Sequence, residues 1–464
     1  MSYYGRANYD YKSKYLLEAQ VRYDGSSKFS KENRWAAFWG ASAGWRLTEE
    51  SFMESTRDWF NEFKIRASYG NVGNQSGIDR YSGVALYNYK GSEGVLIGND
   101  KVSFINTNGK LVSNDRTWER VHNYNLGADF GFFNNRLSGT VEYFWKRTNN
   151  MLIDVLYPGI LGDSAPTGNR GKFKAWGYEG QITWRDRVGK VNYYVGATYT
   201  YADNELVDNG GSGAILAGQR SDREGYPLNS IFGFKYAGKI QTDEQLEKYK
   251  DRYVGNYVGS GNMNLVRKGD NIYEDVNHDG RLDEKDLVYL GTNDPKIQFS
   301  MNAGFEWNGF DFSIVFQGAA KRAVWRMDGN GNADIWRVPM RAVYMNSTNH
   351  WVGNMWSEDN PNGKYPSMTN QADINNYNYQ CSSWSVEDGS YIRLKNVTIG
   401  YTLPANLLAK TRVLSNVRFY VTGTDLWEWS KINDGWDPEA SNRVSNARRY
   451  PFLRNVTFGA NISF

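Results

Sequence analysis

A twelve-residue acidic segment, Asp275 to Asp286, has the spacing that most clearly suggests chemistry. It reads D-V-N-H-D-G-R-L-D-E-K-D, with oxygen-bearing side chains at positions one, three, five, nine and twelve. In an EF-hand loop these positions converge on calcium, position seven supplies its carbonyl, and a glycine at position six allows the sharp turn. The candidate calcium ligands are Asp275, Asn277, Asp279, Arg281 (through its carbonyl), Asp283 and Asp286.

The segment departs from the EF-hand pattern at its last position, where Asp286 stands in place of a bidentate glutamate. The shorter side chain has less reach, which weakens binding. A calcium ion here would be structural, stiffening a long connection, with the affinity of about 10⁻⁴–10⁻³ M that is typical of extracellular modules. The alternative is an acidic turn in which Asx hydrogen bonds bind backbone N–H groups instead of an ion.

Tryptophans between the patterned segments form a second group of candidates. Flat rings can stack on sugars or line a partner interface. Long loops also need internal cores, and tryptophan is a common choice for them. The residues considered for substrate or partner binding are Trp325, Trp336, Trp351, Trp356, Trp384 and Trp436.

Nothing in the sequence indicates an enzyme. The histidines, His122, His278 and His350, are far apart, and no G-x-S-x-G, H-E-x-x-H or glycine-rich phosphate motif is present. The formal net charge of +3 gives no reason to expect nucleic-acid binding. Cys381 is the single cysteine, which excludes an internal disulfide framework and a cysteine-based zinc site.

The elements that position these residues are predicted to be β-strands. Residues 455–464 alternate apolar and polar side chains, which gives a strand one oily and one wet face. A tilted strand needs about ten residues to cross a bilayer. Period-two segments of this kind recur, and the predicted strands are Ser2–Tyr11, Tyr15–Tyr23, Trp35–Leu47, Glu62–Gly73, Val121–Phe133, Arg136–Arg147, Tyr178–Trp184, Val191–Tyr201, Lys296–Trp307, Phe310–Gln317, Tyr391–Leu403, Asn416–Thr424 and Asn455–Phe464.

Two further features refine this strand prediction. The alternation changes phase near Asn396, which predicts a β-bulge. Ile231–Ile240 also has a strand-like pattern, but an extra spanning strand would break the alternation of the connections. We therefore expect Ile231–Ile240 to lie above the membrane, inside a large loop.

Composition and connection lengths favour a transmembrane barrel. No apolar stretch is long enough for a spanning helix, mean hydropathy is −0.67, and aromatic residues make up 16% of the chain. Short and long connections alternate, as in outer-membrane barrels, with extracellular loops predicted at 202–295, which holds the calcium segment, and at aromatic-rich 319–390. Polar residues predicted to line a wet interior are Glu18, Arg22, Lys64, Arg66, Asp129, Glu142, Glu179, Gln181 and Glu306.

Counting strands adds a prediction about completeness. If the tight turns face the periplasm, the first and last of about thirteen strands both run inward, whereas bacterial single-chain barrels have an even strand number. The chain begins directly in a strand pattern, without the basic and apolar regions of an export signal. We therefore expect it to be the downstream part of a larger barrel.

Several blocks of this sequence resemble the SusC/RagA-type TonB-dependent outer-membrane transporters. They are Tyr4–Phe29, Arg34–Phe52 with R-A-S-Y-G-N-V-G-N-Q at 66–75, Trp118–Leu152, Gly269–Gly291, D-G-S-Y-I-R-L-K-N-V-T-I-G-Y-T-L-P at 388–404 and G-W-D-P-E-A at 435–440. The terminal Phe464 is similar to that family's barrel-assembly signal, which implies recognition by the barrel-assembly machinery.

The resemblance implies an all-β fold: an antiparallel barrel in the cell outer membrane, of which this chain holds about 13 of 22 strands without the plug domain. It also implies import of oligosaccharides or peptides into the periplasm, with a SusD-like surface lipoprotein as lid and energy from the TonB–ExbB–ExbD complex. One alternative is a non-transporting surface barrel that presents glycan-binding or adhesive loops. A barrel hydrolase is a further alternative, which requires a serine or aspartate beside one of the histidines.

Overall fold

The chain was analysed as a computed structural model. The structure describes residues 1–80, 87–91, 94–107, 113, 115–154, 167–211, 222–250, 266–325, 351–369, 377–432, 436–439 and 452–464. Trp336 and His350, two of the residues singled out above, lie outside these ranges. The chain divides into two units. The first comprises Met1–Thr183, Ala202–Ala214 and Arg223–Tyr226, and the second comprises Trp184–Tyr201, Ile215–Asp222 and Pro227–Phe464.

The dominant element is an antiparallel sheet of thirteen long strands, which confirms the predicted fold class. Each strand is hydrogen-bonded to its neighbours in chain order. The strands are β1 Ser2–Tyr11, β2 Tyr15–Gly25, β3 Trp35–Arg46, β4 Phe60–Asn74, β5 Glu119–Phe132, β6 Leu137–Asp154, β7 Thr167–Val188, β8 Val191–Asp208, β9 Ile297–Trp307, β10 Phe310–Ala320, β11 Tyr391–Thr402, β12 Asn416–Ser430 and β13 Asn455–Ser463.

Short turns join these strands at the positions where the sequence supplies residues that tolerate positive φ. Between β9 and β10, Asn308 and Gly309 have φ values of +47° and +87°, and Trp307 faces Phe310 across the turn. A two-residue hairpin needs positive φ at both central residues, and Asn-Gly is the preferred pair. Lys12 and Ser13, each with a φ of +54°, lie in the three-residue turn between β1 and β2, where Tyr11 pairs with Tyr15.

Several strands are longer than predicted. The predicted strand Tyr178–Trp184 is part of β7, which begins at Thr167, and β6 continues to Asp154. The first seven residues of the predicted loop 202–295 belong to β8. Likewise, β12 extends through the alternating residues after Thr424 as far as Ser430. Ladder hydrogen bonds therefore continue into segments that were predicted to be loop.

The bulge predicted near Asn396 is confirmed. The β11 registers with both β10 and β12 shift between Leu394 and Asn396. One extra residue restores the alternation, so that the apolar side chains on each side of the shift face the same way.

The segment 231–240 is also confirmed to lie outside the main sheet. It forms two short strands, Ser230–Phe234 and Tyr236–Lys239, which pair with Leu287–Thr292 and Asn271–Tyr273. The remaining short strands are Tyr87–Lys90, Leu96–Ile97, Asp100–Lys101, Phe104–Thr107, Ala323–Trp325 and Val386–Asp388. Helices in the described part of the chain include Asp243–Lys250 and Ala405–Leu408, with 3₁₀ turns at Leu47–Glu49, Ser51–Thr56, Glu284–Asp286 and Ala409–Thr411.

Most of the buried apolar residues lie in the connections and at strand ends, not in the middle of the long strands. In the first unit Phe29, Phe38, Ile78 and Trp118 form a small core where loop residues meet strand ends. In the second unit the fully buried aromatic residues Phe232, Phe234, Tyr273 and Tyr377 belong to the two long connections. Within the described residues, no helix is both long and apolar enough to cross a membrane.

Candidate functional site

One face of the sheet in the first unit carries an exposed apolar surface bounded by aromatic rings. Leu17 and Val21 of β2 are each 51% exposed, and Ala19 lies between them on the same face. Stacked rings, with neighbouring centroids 5.0–6.5 Å apart, lie near both ends of β2. These rings are Tyr3, Tyr23 and Trp35 at one end and Tyr11, Tyr15 and Trp45 at the other. Aromatic girdles flanking an apolar band are the expected surface of a barrel wall that faces lipid.

The last strand follows the same rule. Phe458 and Ile462 on β13 are 77% and 51% exposed. The apolar side chains of β13 are therefore not packed in a dry interior, as the membrane interpretation requires.

The opposite face of the first unit holds paired charges. Arg66 Nη2 lies 2.7 Å from Glu142 Oε2, and Arg66 Nε lies 3.4 Å from Asp129 Oδ1. Lys64 Nζ is 3.3 Å from Asp129 Oδ2, and the Thr140 hydroxyl donates to Asp129 Oδ1 at 2.9 Å. These side chains come from three neighbouring strands, as the prediction of a polar interior required. Because each charge is matched, this group stabilises the wall and gives it no strong net field.

The other residues predicted for the polar interior are either in ion pairs or exposed. Glu18 is paired with Arg6 at 2.6 Å, and Arg22 with Asp24 at 2.6 Å. Glu179 is exposed on β7. The remaining two predicted residues, Gln181 and Glu306, are also exposed.

The two described histidines, His122 and His278, give no support to a catalytic centre. His122 Nδ1 lies 2.9 Å from the Tyr69 hydroxyl, and the two rings stack on the apolar face. His278 has a φ of +59° in the acidic segment, where it forms the turn. Across the ranges that the structure describes, neither ring is hydrogen-bonded to a serine or aspartate side chain, which the hydrolase alternative requires.

The two long connections in the second unit form one shared core, which sequence reasoning did not foresee. The backbone N–H of Asn271 donates to Asn378 Oδ1 at 2.8 Å, and Asn271 Nδ2 donates to the Asn378 carbonyl at 2.7 Å. The Tyr273 hydroxyl donates to the Tyr377 carbonyl at 3.0 Å, and the Tyr377 hydroxyl donates back to the Asn271 carbonyl at 2.5 Å. These four side chains are almost completely buried, so residues 271–273 of the first connection and 377–378 of the second form one core.

A buried carboxylate reinforces this shared core. Asp270 accepts hydrogen bonds from Asn378 Nδ2 at 2.8 Å, from the Ser367 hydroxyl at 3.1 Å and from the Arg267 N–H at 2.7 Å. Burial raises the pKa of Asp270, although these hydrogen bonds and the Arg267 charge oppose the rise.

Two of the candidate substrate-binding tryptophans are not available to a ligand. Trp325 and Trp351 are 4% and 3% exposed. Trp325 belongs to the core around Ile231, and Trp351 packs edge-on against Tyr365 with centroids 4.3 Å apart. Apolar burial drives both rings into the loop interior, so we correct their proposed role: they are core residues.

The other candidate tryptophans that the structure describes, Trp356, Trp384 and Trp436, are partly exposed. Trp356 Nε1 donates to Gln241 Oε1 at 2.9 Å, and Trp384 Nε1 donates to the Lys364 carbonyl at 3.3 Å. Trp436 lies in the segment 436–439, which contacts the main sheet. These three rings keep surface that a ligand could contact.

The acidic segment forms a compact turn between Tyr273 and Leu287. Asp286 is completely buried and accepts N–H groups of Val276 and Asp283, both at 2.8 Å. Asp275 accepts the N–H groups of Asp279 at 3.2 Å and Gly280 at 2.8 Å. Gly280, at a φ of +83°, makes the sharp bend that the EF-hand pattern assigns to position six.

These contacts match the Asx-turn alternative directly. In the described residues no group of three or more Asp, Glu, His or Cys side chains is gathered closely enough to hold a metal. Carboxylate oxygens carry further lone pairs beyond those used by the backbone, so the donor set is still of the type that a hard cation prefers. The calcium site remains a prediction.

The sequence reading missed a buried charge network on the polar face of the second unit. Arg393 of β11 is bonded to Glu428 of β12 and to Asp437 and Glu439 of the following connection. The signal was present in two blocks singled out above, R-L-K within 388–404 and D-P-E within 435–440. Nothing in their spacing showed that these blocks meet.

Comparison with known proteins fits this architecture. The model of the family described as "TonB dependent receptor-like, beta-barrel" matches residues 1–426. The chain belongs to this family. It therefore lies in the outer membrane, as predicted.

Relatives support the same placement. The chain is 30% identical over 496 residues to TonB-dependent receptor P26 of Formosa agariphila, covering 100% of this chain and 46% of the relative. It is 24% identical over 469 residues to TonB-dependent receptor SusC of Bacteroides thetaiotaomicron, covering 100% and 44%. The chain thus spans less than half the length of these relatives, and it is a barrel portion of the SusC/RagA type.

A solved structure shows the same fold. The RagAB peptide importer in its "closed-closed" state superposes with a TM-score of 0.78 at 25% identity, covering 100% of this chain and 47% of that one. By their names these relatives are receptors and an importer.

Proposed function

We propose that the chain forms part of the barrel of an outer-membrane active-transport receptor that imports oligosaccharides or peptides into the periplasm. The observation that carries this proposal is the two-faced sheet: one face is apolar and ringed by aromatic residues, and the other carries paired charges. Such a wall separates lipid from an aqueous path. The likeness to the RagAB peptide importer supports import as the activity.

The proposed partners follow from the same family. A SusD-like surface lipoprotein would close the barrel from outside, and the TonB–ExbB–ExbD complex would supply energy. The barrel-assembly machinery would recognise the terminal Phe464, which is 83% exposed and accessible at the end of β13.

Uptake by cells tests this function. Cells expressing the full-length receptor and its neighbouring lipoprotein are given fluorescent oligosaccharide and oligopeptide pools. We expect one pool to accumulate in the periplasm, and we expect accumulation to stop when TonB is deleted. Surface binding that is unchanged by TonB deletion, without periplasmic signal, would instead support the alternative of a non-transporting barrel with glycan-binding or adhesive loops.

We also propose that the acidic segment 275–286 binds calcium as a structural ion. Its ligands would be the side chains of Asp275, Asn277, Asp279, Asp283 and Asp286 with the carbonyl of Arg281. The turn formed by Gly280 and the oxygen-rich composition support this assignment. Because Leu282 and Leu287 of this region are buried, an ion here would stiffen the shared loop core.

Metal content separates calcium binding from a simple Asx turn. The receptor carrying Asp275→Asn and Asp279→Asn is equilibrated with millimolar calcium, and bound calcium is measured by atomic emission. We expect the loss of one ion per chain. Glu284→Gln, at position ten where no ligand is expected, is the matched control and should keep the ion. Equal calcium content in all three proteins would remove the assignment.

A further inference from the structure

Buried charges fasten a connection to the polar face of the sheet in the second unit. Arg393 on β11 has a side chain only 3% exposed, and it lies opposite both Gln317 of β10 and Glu428 of β12. Its Nε donates to Glu428 Oε2 at 2.8 Å. Residues in the same register row share a face, so this group lies on the polar side.

The remaining donors of Arg393 reach a different part of the chain. Its Nη2 donates to Asp437 Oδ1 at 2.9 Å, and its Nη1 donates to Glu439 Oε1 at 2.8 Å. Lys395 Nζ donates to both carboxylate oxygens of Glu439, at 3.1 and 3.2 Å. One guanidinium fork therefore joins two neighbouring strands to the segment 436–439, as only arginine geometry allows.

One further hydrogen bond holds the same segment, and the ring of Phe452 lies beside the same two cations. Arg322 Nη1 donates to the Pro438 carbonyl. The Phe452 ring centroid lies 5.1 Å from Arg393 Cζ and 5.4 Å from Lys395 Nζ, within cation–π range, and Phe452 remains 52% exposed. A segment held by so many charged contacts is part of the wall rather than a free loop.

We propose that segment 436–439 is a fixed latch on the polar wall, that it presents the ring of Trp436 to cargo beside the ring of Phe452, and that Arg393 is the positioning residue of both rings. The recognised chemistry is an apolar ring face, which a sugar ring or an aromatic side chain supplies. The inference rests on the proposed import function, because only imported cargo passes along this wall. Arg393 itself does not touch cargo; it sets the place of the two rings.

Cysteine labelling tests the latch without any cargo. Trp436→Cys is introduced into the full-length receptor, where native Cys381 is completely buried, and labelling by a membrane-impermeant maleimide is timed. Adding Asp437→Asn and Glu439→Gln should speed labelling about tenfold, because the segment loses its charge partners while Arg393 keeps Glu428. Asp311→Asn is the matched control, since Asp311 pairs with Arg418 on the same sheet but holds no connection.

The expected change for the Asp311→Asn control is less than about twofold. The protein with Asp437→Asn and Glu439→Gln is called the latch variant. Equal labelling rates with and without these two substitutions would contradict the proposal that segment 436–439 is fixed. Gel heat-modifiability confirms that each variant is assembled. If the double variant does not assemble, Lys395→Met, which removes one contact to Glu439, replaces it with the same expected direction.

Uptake tests the contact with cargo. For any labelled pool that the parent receptor imports, the latch variant and Trp436→Ala should both lower uptake about fivefold or more. Asp311→Asn should import like the parent. Unchanged uptake in both variants would refute cargo contact, whereas absence of import by the parent would refute the proposed function and leave the labelling result to decide the latch.

Discussion

Replacing Ala41 by arginine should destabilise the barrel far more than the same change at its neighbour Ser42. The two residues are adjacent on β3, so they point to opposite faces. Ala41 lies on the apolar face between Trp35 and Trp45. Ser42 lies on the polar face, in register with Glu18, where water can solvate a new cation.

The expected loss of folding free energy follows from how deep Ala41 lies in the apolar band of the membrane. Trp35 and Trp45 are ten residues apart, or about 33 Å along the strand at roughly 3.3 Å per residue. A strand tilted by about 40° then spans about 25 Å of height, the thickness of the apolar band of an outer-membrane barrel. Ala41 lies near the middle of this band. Arginine at that depth costs about 2–4 kcal/mol, whereas Ser42→Arg should cost about 0–1 kcal/mol.

Reversible folding of the full-length receptor into lipid vesicles measures the difference. Urea titration followed by gel heat-modifiability gives a free energy of unfolding for the parent and both variants. Equal costs at the two positions, or a larger cost at Ser42, would show that the apolar face is not in lipid.

Three further predictions concern the loops and the chain end. Trp351→Ala should destabilise the cluster of Trp351, Tyr365 and Tyr379 by about 3–5 kcal/mol because it leaves a cavity beside Tyr365, and hydrogen exchange should show lost protection there. Val352→Ala, at a 75% exposed site, should cost less than about 0.5 kcal/mol. Burial raises the pKa of Asp270, so proton binding by Asp270 stabilises the shared core fully below the ordinary carboxyl pKa, and this stabilisation is lost as pH rises through the raised pKa. Hydrogen-exchange protection of the shared core should therefore be higher in acid, and Asp270→Asn should abolish that dependence. An unchanged pH profile in the Asp270→Asn variant would contradict this prediction. Phe464→Ser should lower the amount of assembled receptor in the outer membrane without changing the stability of receptor that has assembled, which quantitative blotting and heat-modifiability would separate.

The strands of the main sheet could be predicted because a membrane wall imposes strict alternation. On β2, for example, Leu17, Ala19 and Val21 alternate with Glu18, Gln20 and Arg22, because successive side chains meet lipid and water in turn. The prediction failed at strand ends such as Thr167 on β7, where strand continues without an apolar face. Backbone hydrogen bonds continue the β-ladder there, but the side chains no longer alternate between apolar and polar, so the sequence does not show that the strand continues.

The loops were less predictable because their contacts are distant in sequence. Asn271 and Asn378 meet across 107 positions, and no local pattern indicates that pairing. Composition alone could not tell the buried Trp351 from the partly exposed Trp356. The acidic segment was recognisable as a turn because all of its residues are close in sequence. The ion pairs of Arg393 with Asp437 and Glu439 were missed because these residues are more than forty positions apart in sequence.

Spin-label accessibility along β2 tests the central claim most directly. Single cysteines at positions 17 to 22 of the full-length receptor in vesicles are labelled, and collisions with oxygen and with a water-soluble nickel chelate are measured. We predict high oxygen and low nickel accessibility at Leu17, Ala19 and Val21, with the opposite at Glu18, Gln20 and Arg22. Low accessibility to both reagents at the odd positions would place them in a dry protein interior and contradict the account.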